Sequence, residues 1–134
     1  MKMDNIVLDS WALIAFFDNE PAAMQVEDII TEAHANNLQM MISVINLGEL
    51  WYSYARIYSD SFADDLIEKV KVMNIEVKPV DWNIAKIAAG FKKEGGISYA
   101  DCFAGALASK MDAALVTGDP EFSRLEDHIS IMWI

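Results

Sequence analysis

Four acidic residues fall where a chain of this kind can do chemistry. Asp9 directly follows Val7-Leu8, and Glu49 sits within Asn46-Leu47-Gly48-Glu49-Leu50. Asp101 lies in Ser98-Tyr99-Ala100-Asp101, and Asp119 follows Val116-Thr117-Gly118. Carboxylates aimed at one crevice repel and raise each other's pKa. A hard cation relieves that repulsion, and Mg²⁺ or Mn²⁺ takes oxygen ligands of this type. Each acid also has a structural reading. Asp9 and Asp119 suit helix N-caps, with Pro120 at a first helical position behind Asp119. Ser98-x-x-Asp101 is a capping-box pattern. Glu49 shares a polar stripe with Asn46, Ser53 and Arg56, so it can face water. Taken together, the four placements favour a metal site over four separate caps.

Two periods alternate along the chain and supply the elements that would position these acids. Short runs rich in β-branched residues at Ile6–Leu8, Met40–Ile45, Ile75–Val80, Ala114–Thr117 and Ile129–Met132 read as strands. Helical spacing fills the intervals. One helix opens at Pro21 and stacks Val26, Ile29, Ile30 and Ala33; another runs from Asn46 to Tyr58. A third carries Phe62, Leu66, Ile67 and Val70. The fourth runs from Asp81 to Gly95-Gly96, and the fifth from Ser98 to Met111. Apolar strands separated by helices predict a parallel sheet covered on both faces, an α/β fold in one domain over residues 1–134. In such a sheet ligands bind beyond the carboxyl ends of the strands, where Asp9 and Asp119 stand.

Composition narrows the classes. Of the 134 residues 54% are hydrophobic and 23% charged, which suits a packed core. Cys102 is alone, so no internal disulfide forms. His34 and His128 lack a second nitrogen or sulfur ligand at zinc spacing. The longest early apolar stretch, Trp11–Phe17, is seven residues, against roughly 20 for a membrane span. Asp9 breaks the run before it and Asp18-Asn19-Glu20-Pro21 stands where a cleavage site belongs, so a cytoplasmic protein is expected. Ten Lys and Arg against 21 Asp and Glu give a net charge of −11. That charge attracts cationic partners and requires local basic groups if a phosphate backbone is to bind. Lys86, Lys92 and Lys93 are candidates, although Lys92 and Lys93 equally suit a helix C-terminus.

The segments Ile6-Val7-Leu8-Asp9-Ser10, Asn46-Leu47-Gly48-Glu49-Leu50, Ser98 through Ala108, and Val116-Thr117-Gly118-Asp119-Pro120-Glu121-Phe122 resemble, in order and over nearly the whole chain, the motifs of the PIN-domain family, above all its VapC-type toxins. The resemblance implies a three-layer α/β/α sandwich with a parallel sheet of strand order 3-2-1-4-5. It implies that Asp9, Glu49, Asp101 and Asp119 bind one or two Mg²⁺ or Mn²⁺ ions, with Ser10 and Thr117 as accessory hydroxyls. The implied activity is metal-dependent hydrolysis of RNA by a toxin that pairs with a basic antitoxin and forms a homodimer. Ser10 replaces a commoner Thr, Trp11 stands where a small residue is usual, and Glu121 replaces a frequent Asp.

Competing readings fit less well. A receiver-like signalling domain would need paired acids after the first strand and a lysine after the fifth, and no lysine follows Lys110. A haloacid-dehalogenase-like phosphatase needs Asp-x-Asp, but residue 11 is Trp. A PIN-fold binding or scaffold module without nuclease activity stays open. Trp51 and Tyr52 point about 100° apart on a helix, so one of them is a candidate for a dimer or partner surface.

Overall fold

The computed structural model describes residues 4–134. The elements, in chain order, are β1 (Ile6–Leu8), α1 (Ser10–Phe17), α2 (Ala23–Ala35), β2 (Met40–Ser43), α3 (Val44–Ile57), α4 (Asp60–Val72), β3 (Ile75–Lys78), α5 (Trp82–Glu94), α6 (Tyr99–Met111), β4 (Ala114–Thr117), a 3₁₀ turn (Pro120–Leu125) and β5 (Ile131–Trp133). All strand pairs are parallel, and the order across the sheet is β3-β2-β1-β4-β5. This is the order the family resemblance implies.

Strand alternation divides the core in two. Val7, Met41 and Leu115 face one side and pack with Ile84, Ala88, Phe103 and Leu107 of α5 and α6. Ile6, Leu8, Met40, Ile42 and Val116 face the other and pack with Leu13, Val26, Leu50, Tyr54 and Leu66 of α1 to α4. Central β1, β2 and β4 are buried throughout, whereas β3 and β5 are partly exposed edges. Residues 102–108 of α6 are all buried; Ala104, Gly105, Ala106 and Ala108 among them let the helix lie close on the sheet.

Several boundaries differ from the sequence reading. Trp11–Phe17, read only as an apolar stretch, is helix α1, begun by Asp9 one residue after β1. Strand β2 stops at Ser43 rather than Ile45 because the Ser43 hydroxyl accepts the Ile45 N–H and starts α3, at 3.3 Å. Strand β3 ends at Lys78, and β5 is shifted to Ile131–Trp133. Helix α2 starts at Ala23, not Pro21. Of the aromatic pair, Trp51 is half-buried and donates to Asp64 Oδ1 at 2.8 Å, tying α3 to α4, while Tyr52 is exposed beside Arg56.

Candidate metal centre

The parallel order puts β1 between β2 and β4, so the chain leaves all three central strands at one edge of the sheet. Asp9 is buried there, and both of its oxygens are engaged. Oδ1 accepts the Ala12 N–H at 2.9 Å, which caps α1, and Oδ2 accepts the Thr117 hydroxyl at 2.6 Å. Thr117 Oγ1 in turn accepts the Asp119 N–H at 3.0 Å, linking the ends of β1 and β4. Asp119 caps the 3₁₀ turn through the Glu121 N–H, at 3.0 Å.

Glu49 does not simply face water. It is half-buried, and its Oε1 accepts from Ser10 Oγ at 3.1 Å and Asn46 Nδ2 at 3.0 Å. Asn46 is fully buried and uses the same amide group to reach the Ala100 carbonyl at 3.1 Å, which joins α3 to the start of α6. Because Nδ2 faces two acceptors, the amide orientation is fixed and Oδ1 points elsewhere. That oxygen is buried and has no hydrogen-bond partner among the described residues.

Asp101 is 7% exposed in the first turn of α6. Ser98 Oγ accepts its N–H at 3.2 Å, which is half of a capping box. The reciprocal half goes elsewhere: the Ser98 N–H donates to Glu121 Oε1 at 3.0 Å. Asp101, Asp119 and Glu121 thereby offer one oxygen each, all within 4.8 Å of one another.

The electrostatics connect the remaining acids to this group. Burial pushes the Asp9 carboxyl up to about 7 against the lowering effect of its Thr117 and Ala12 hydrogen bonds, and the charges of Asp119 and Glu49 raise it further. Asp101 also rises to about 7, first through burial and then through Asp119, with smaller pushes from Asp9 and Glu49 and an opposing hydrogen bond from Ser98. Asp9, Glu49, Asp101 and Asp119 therefore share one field, and Glu121 stands beside Asp101 and Asp119 by distance. An all-oxygen donor set with two carboxyls held away from their ordinary range matches the needs of a hard divalent ion.

Sequence reasoning did not place Glu121 or Asn46 in the cluster. The signal for Glu121 was present: it stands two residues after Asp119 in a Pro-started turn. For Asn46 the signal was its i−3 spacing to Glu49, read as an exposed stripe. Lys92 Nζ donates to the Ile97 carbonyl at 2.9 Å, Lys93 lies 4.0 Å from Glu94, and Lys86 is exposed on α5.

Among solved structures the chain is similar to DNA-bound VapBC from Salmonella typhimurium, with 24% identity, 97% of this chain and 98% of that chain covered, and a TM-score of 0.76. It is similar to VapBC-1 from nontypeable Haemophilus influenzae, with 22% identity, 96% of each chain covered and a TM-score of 0.74. It is also similar to the sarcin–ricin-loop-cleaving toxin VapC20 of Mycobacterium tuberculosis, with 18% identity, 89% and 93% coverage and a TM-score of 0.70. These likenesses concern the fold. No curated protein matches the chain. The PIN-domain family pattern matches residues 6–127, which include all five acids. With that match over nearly its full length and a 3-2-1-4-5 parallel sheet beneath it, the chain belongs to the PIN-domain family.

Proposed function

We propose that the chain is a Mg²⁺- or Mn²⁺-dependent endoribonuclease and the toxin of a type II toxin–antitoxin pair. The observation that carries this reading is the convergence of acids at the carboxyl edge of the sheet in a PIN domain. Asp9, Glu49, Asp101 and Asp119 are the assigned metal-site acids, joined by Glu121. When bound, a divalent ion supplies the positive charge that lowers the pKa of water and stabilises the phosphoryl transition state.

The protein's own groups supply the positioning. Thr117 holds Asp9 through one oxygen and the Asp119 backbone through the other side of its hydroxyl, so the two acids keep a fixed relation. Ser10 and Asn46 steady Glu49 through Oε1, leaving Oε2 to accept a proton from the attacking water. Single-stranded or loop RNA suits such a site, because its backbone is flexible and its bases are accessible, whereas a duplex is stiff. VapC20, with the same fold, is a toxin that cleaves the sarcin–ricin loop.

The net charge of −11 favours a basic antitoxin over promiscuous RNA binding. An arginine of that partner would meet the carboxylates in bidentate fashion and compete with the metal. The same reading includes a homodimer, and exposed Tyr58 and Phe62, stacked at 4.4 Å, are apolar surface available to it. Incubation of the purified protein with single-stranded RNA tests the activity. Cleavage is expected with Mg²⁺ or Mn²⁺, abolished by EDTA, and reduced at least about a hundredfold in Asp101→Asn. A protein that degrades no RNA across varied substrates and both metals acts instead as a PIN-fold binding module.

A further inference from the structure

A second feature lies on the other side of Glu121. Gly95, Ile97, Phe91, Glu94, Arg124, Leu125 and His128 enclose a cavity of about 210 Å³ where the end of α5 meets the 3₁₀ turn. Arg124 lies flat against Gly96: a Cβ on that glycine would stand 2.6 Å from the guanidinium Nε and 2.7 Å from Cζ. Both Gly95 and Gly96 have left-handed backbones, with φ of 81° and 79°, so glycine serves the turn and the close approach together. The His128 ring is held against Phe91, with centroids 5.6 Å apart.

Charge makes this placement notable. The chain is strongly acidic, and its other cations near the site are engaged: Lys92 with the Ile97 carbonyl, Lys93 with Glu94. Among the described residues Arg124 has no carboxylate within 4.0 Å, although Glu94 lines the same cavity. In a 3₁₀ helix, residues three apart eclipse each other at about 2 Å of rise per residue. Arg124 therefore stands on the same side of the turn as Glu121, about 6 Å along. Glu121 is itself an acid of the metal-site group, and it is bonded to Ser98, two residues beyond Gly96. A planar guanidinium packed on Gly96, one turn along from a metal-site acid, is suited to bidentate recognition of a phosphate.

We propose that Arg124, with His128 and the Gly95–Gly96 turn, is a subsite for a backbone phosphodiester of single-stranded RNA, adjacent to the phosphate at the acid cluster. This rests on the ribonuclease reading and adds the group that holds the substrate. It answers the charge problem locally: one arginine beside the acids, without a carboxylate partner, draws the strand across them, where the protein as a whole repels it.

The test is binding of a fluorescent single-stranded RNA decamer by anisotropy in EDTA over a series of KCl concentrations, with steady-state kinetics in Mn²⁺ beside it. Arg124→Gln keeps the packing stem and removes the charge. It should weaken binding about five- to tenfold and lower the salt slope by about 0.7, the loss of one phosphate contact. The kinetic loss should fall in KM. Arg124→Lys should restore the slope but only part of the affinity, since a lysine lacks the fork. An Arg124→Gln variant with wild-type affinity and slope, in a protein that cleaves RNA, overturns the subsite and leaves the nuclease standing. A wild type that neither binds nor cleaves RNA removes both. If Arg124→Gln unfolds, the wild type decides: on titration with a phosphate-linked dinucleotide, the Arg124 Nε–H and Gly96 amide resonances should shift, and unmoved resonances at saturation overturn the proposal.

Discussion

Asp9 carries two duties on one carboxylate: it caps α1 and it supplies charge to the acid cluster. Its position after the first strand was legible in the sequence, and the cap reading describes its hydrogen bond from Ala12. What the sequence did not carry was its burial, which follows from packing beneath β4. Burial raises the native carboxyl to about 7 from its ordinary value of 3.8. The native state therefore holds a proton that the unfolded chain has already released. The penalty is absent below about pH 4, grows as pH rises, and is complete above about 7. In EDTA the metal-free protein should lose stability across this interval, by as much as about 4 kcal/mol from Asp9. Asp101 adds a change of the same sign. Asp9→Asn should flatten the dependence and stabilise the metal-free protein at pH 7. Urea unfolding at a series of pH values checks this; an equal slope in wild type and variant would contradict it. Added Mg²⁺ should reduce the wild-type slope, because the ion favours the ionised carboxylates.

At the scale of elements, caps decide where the site residues fall. Asp9, Ser43, Ser59, Asp81 and Ser98 each place a side-chain oxygen on a helix-start N–H. The Asp81 and Ser98 starts were readable from sequence. The Ser43 start was hidden, because β-branched Val44 and Ile45 continue the strand composition into the helix. Helix ends were similarly half visible. Gly95-Gly96 announced one, but Asn37, Asn74 and Asp112 end α2, α4 and α6 in left-handed conformations with the same effect. The expected edge of β5 was misplaced because His128 and Ile129 hydrogen-bond back to Leu125, extending the turn. One contact between elements bears on the site mouth. The Trp11 ring of α1 rests on Gly118, where a Cβ would come within 2.7 Å of three ring carbons. Gly118→Ala should therefore displace Trp11 and cost about 1–3 kcal/mol, measured by urea denaturation with a shift in tryptophan emission. In a Trp11→Ala background the same alanine should cost far less; an equal cost in both backgrounds would place its effect elsewhere.

The whole molecule combines a net charge of −11 with a cluster of Asp101, Asp119 and Glu121, whose Asp101 carboxyl also feels the charges of Asp9 and Glu49. Its family was readable because four short motifs resemble that family's in order along the chain, and the strand order came with the resemblance. Glu121 and Asn46 were not placed, because their roles depend on partners far apart in sequence: Ser98 for Glu121, and Ala100 for Asn46. No described helix is long and apolar enough to cross a membrane. A ligand that binds only the native state stabilises it by mass action, about 2.7 kcal/mol at a hundred times Kd. Mg²⁺ or Mn²⁺ should accordingly raise the melting temperature by several degrees, and Asp101→Asn should lose most of that rise. A basic antitoxin bound at the acids should weaken Mn²⁺ binding, read by calorimetry on the complex and the free protein. The most direct test of the centre itself is anomalous diffraction from crystals soaked in Mn²⁺. A peak is expected within about 2–2.6 Å of carboxylate oxygens from Asp101 and Asp119. Peaks confined to other parts of the surface at saturating Mn²⁺ would contradict it.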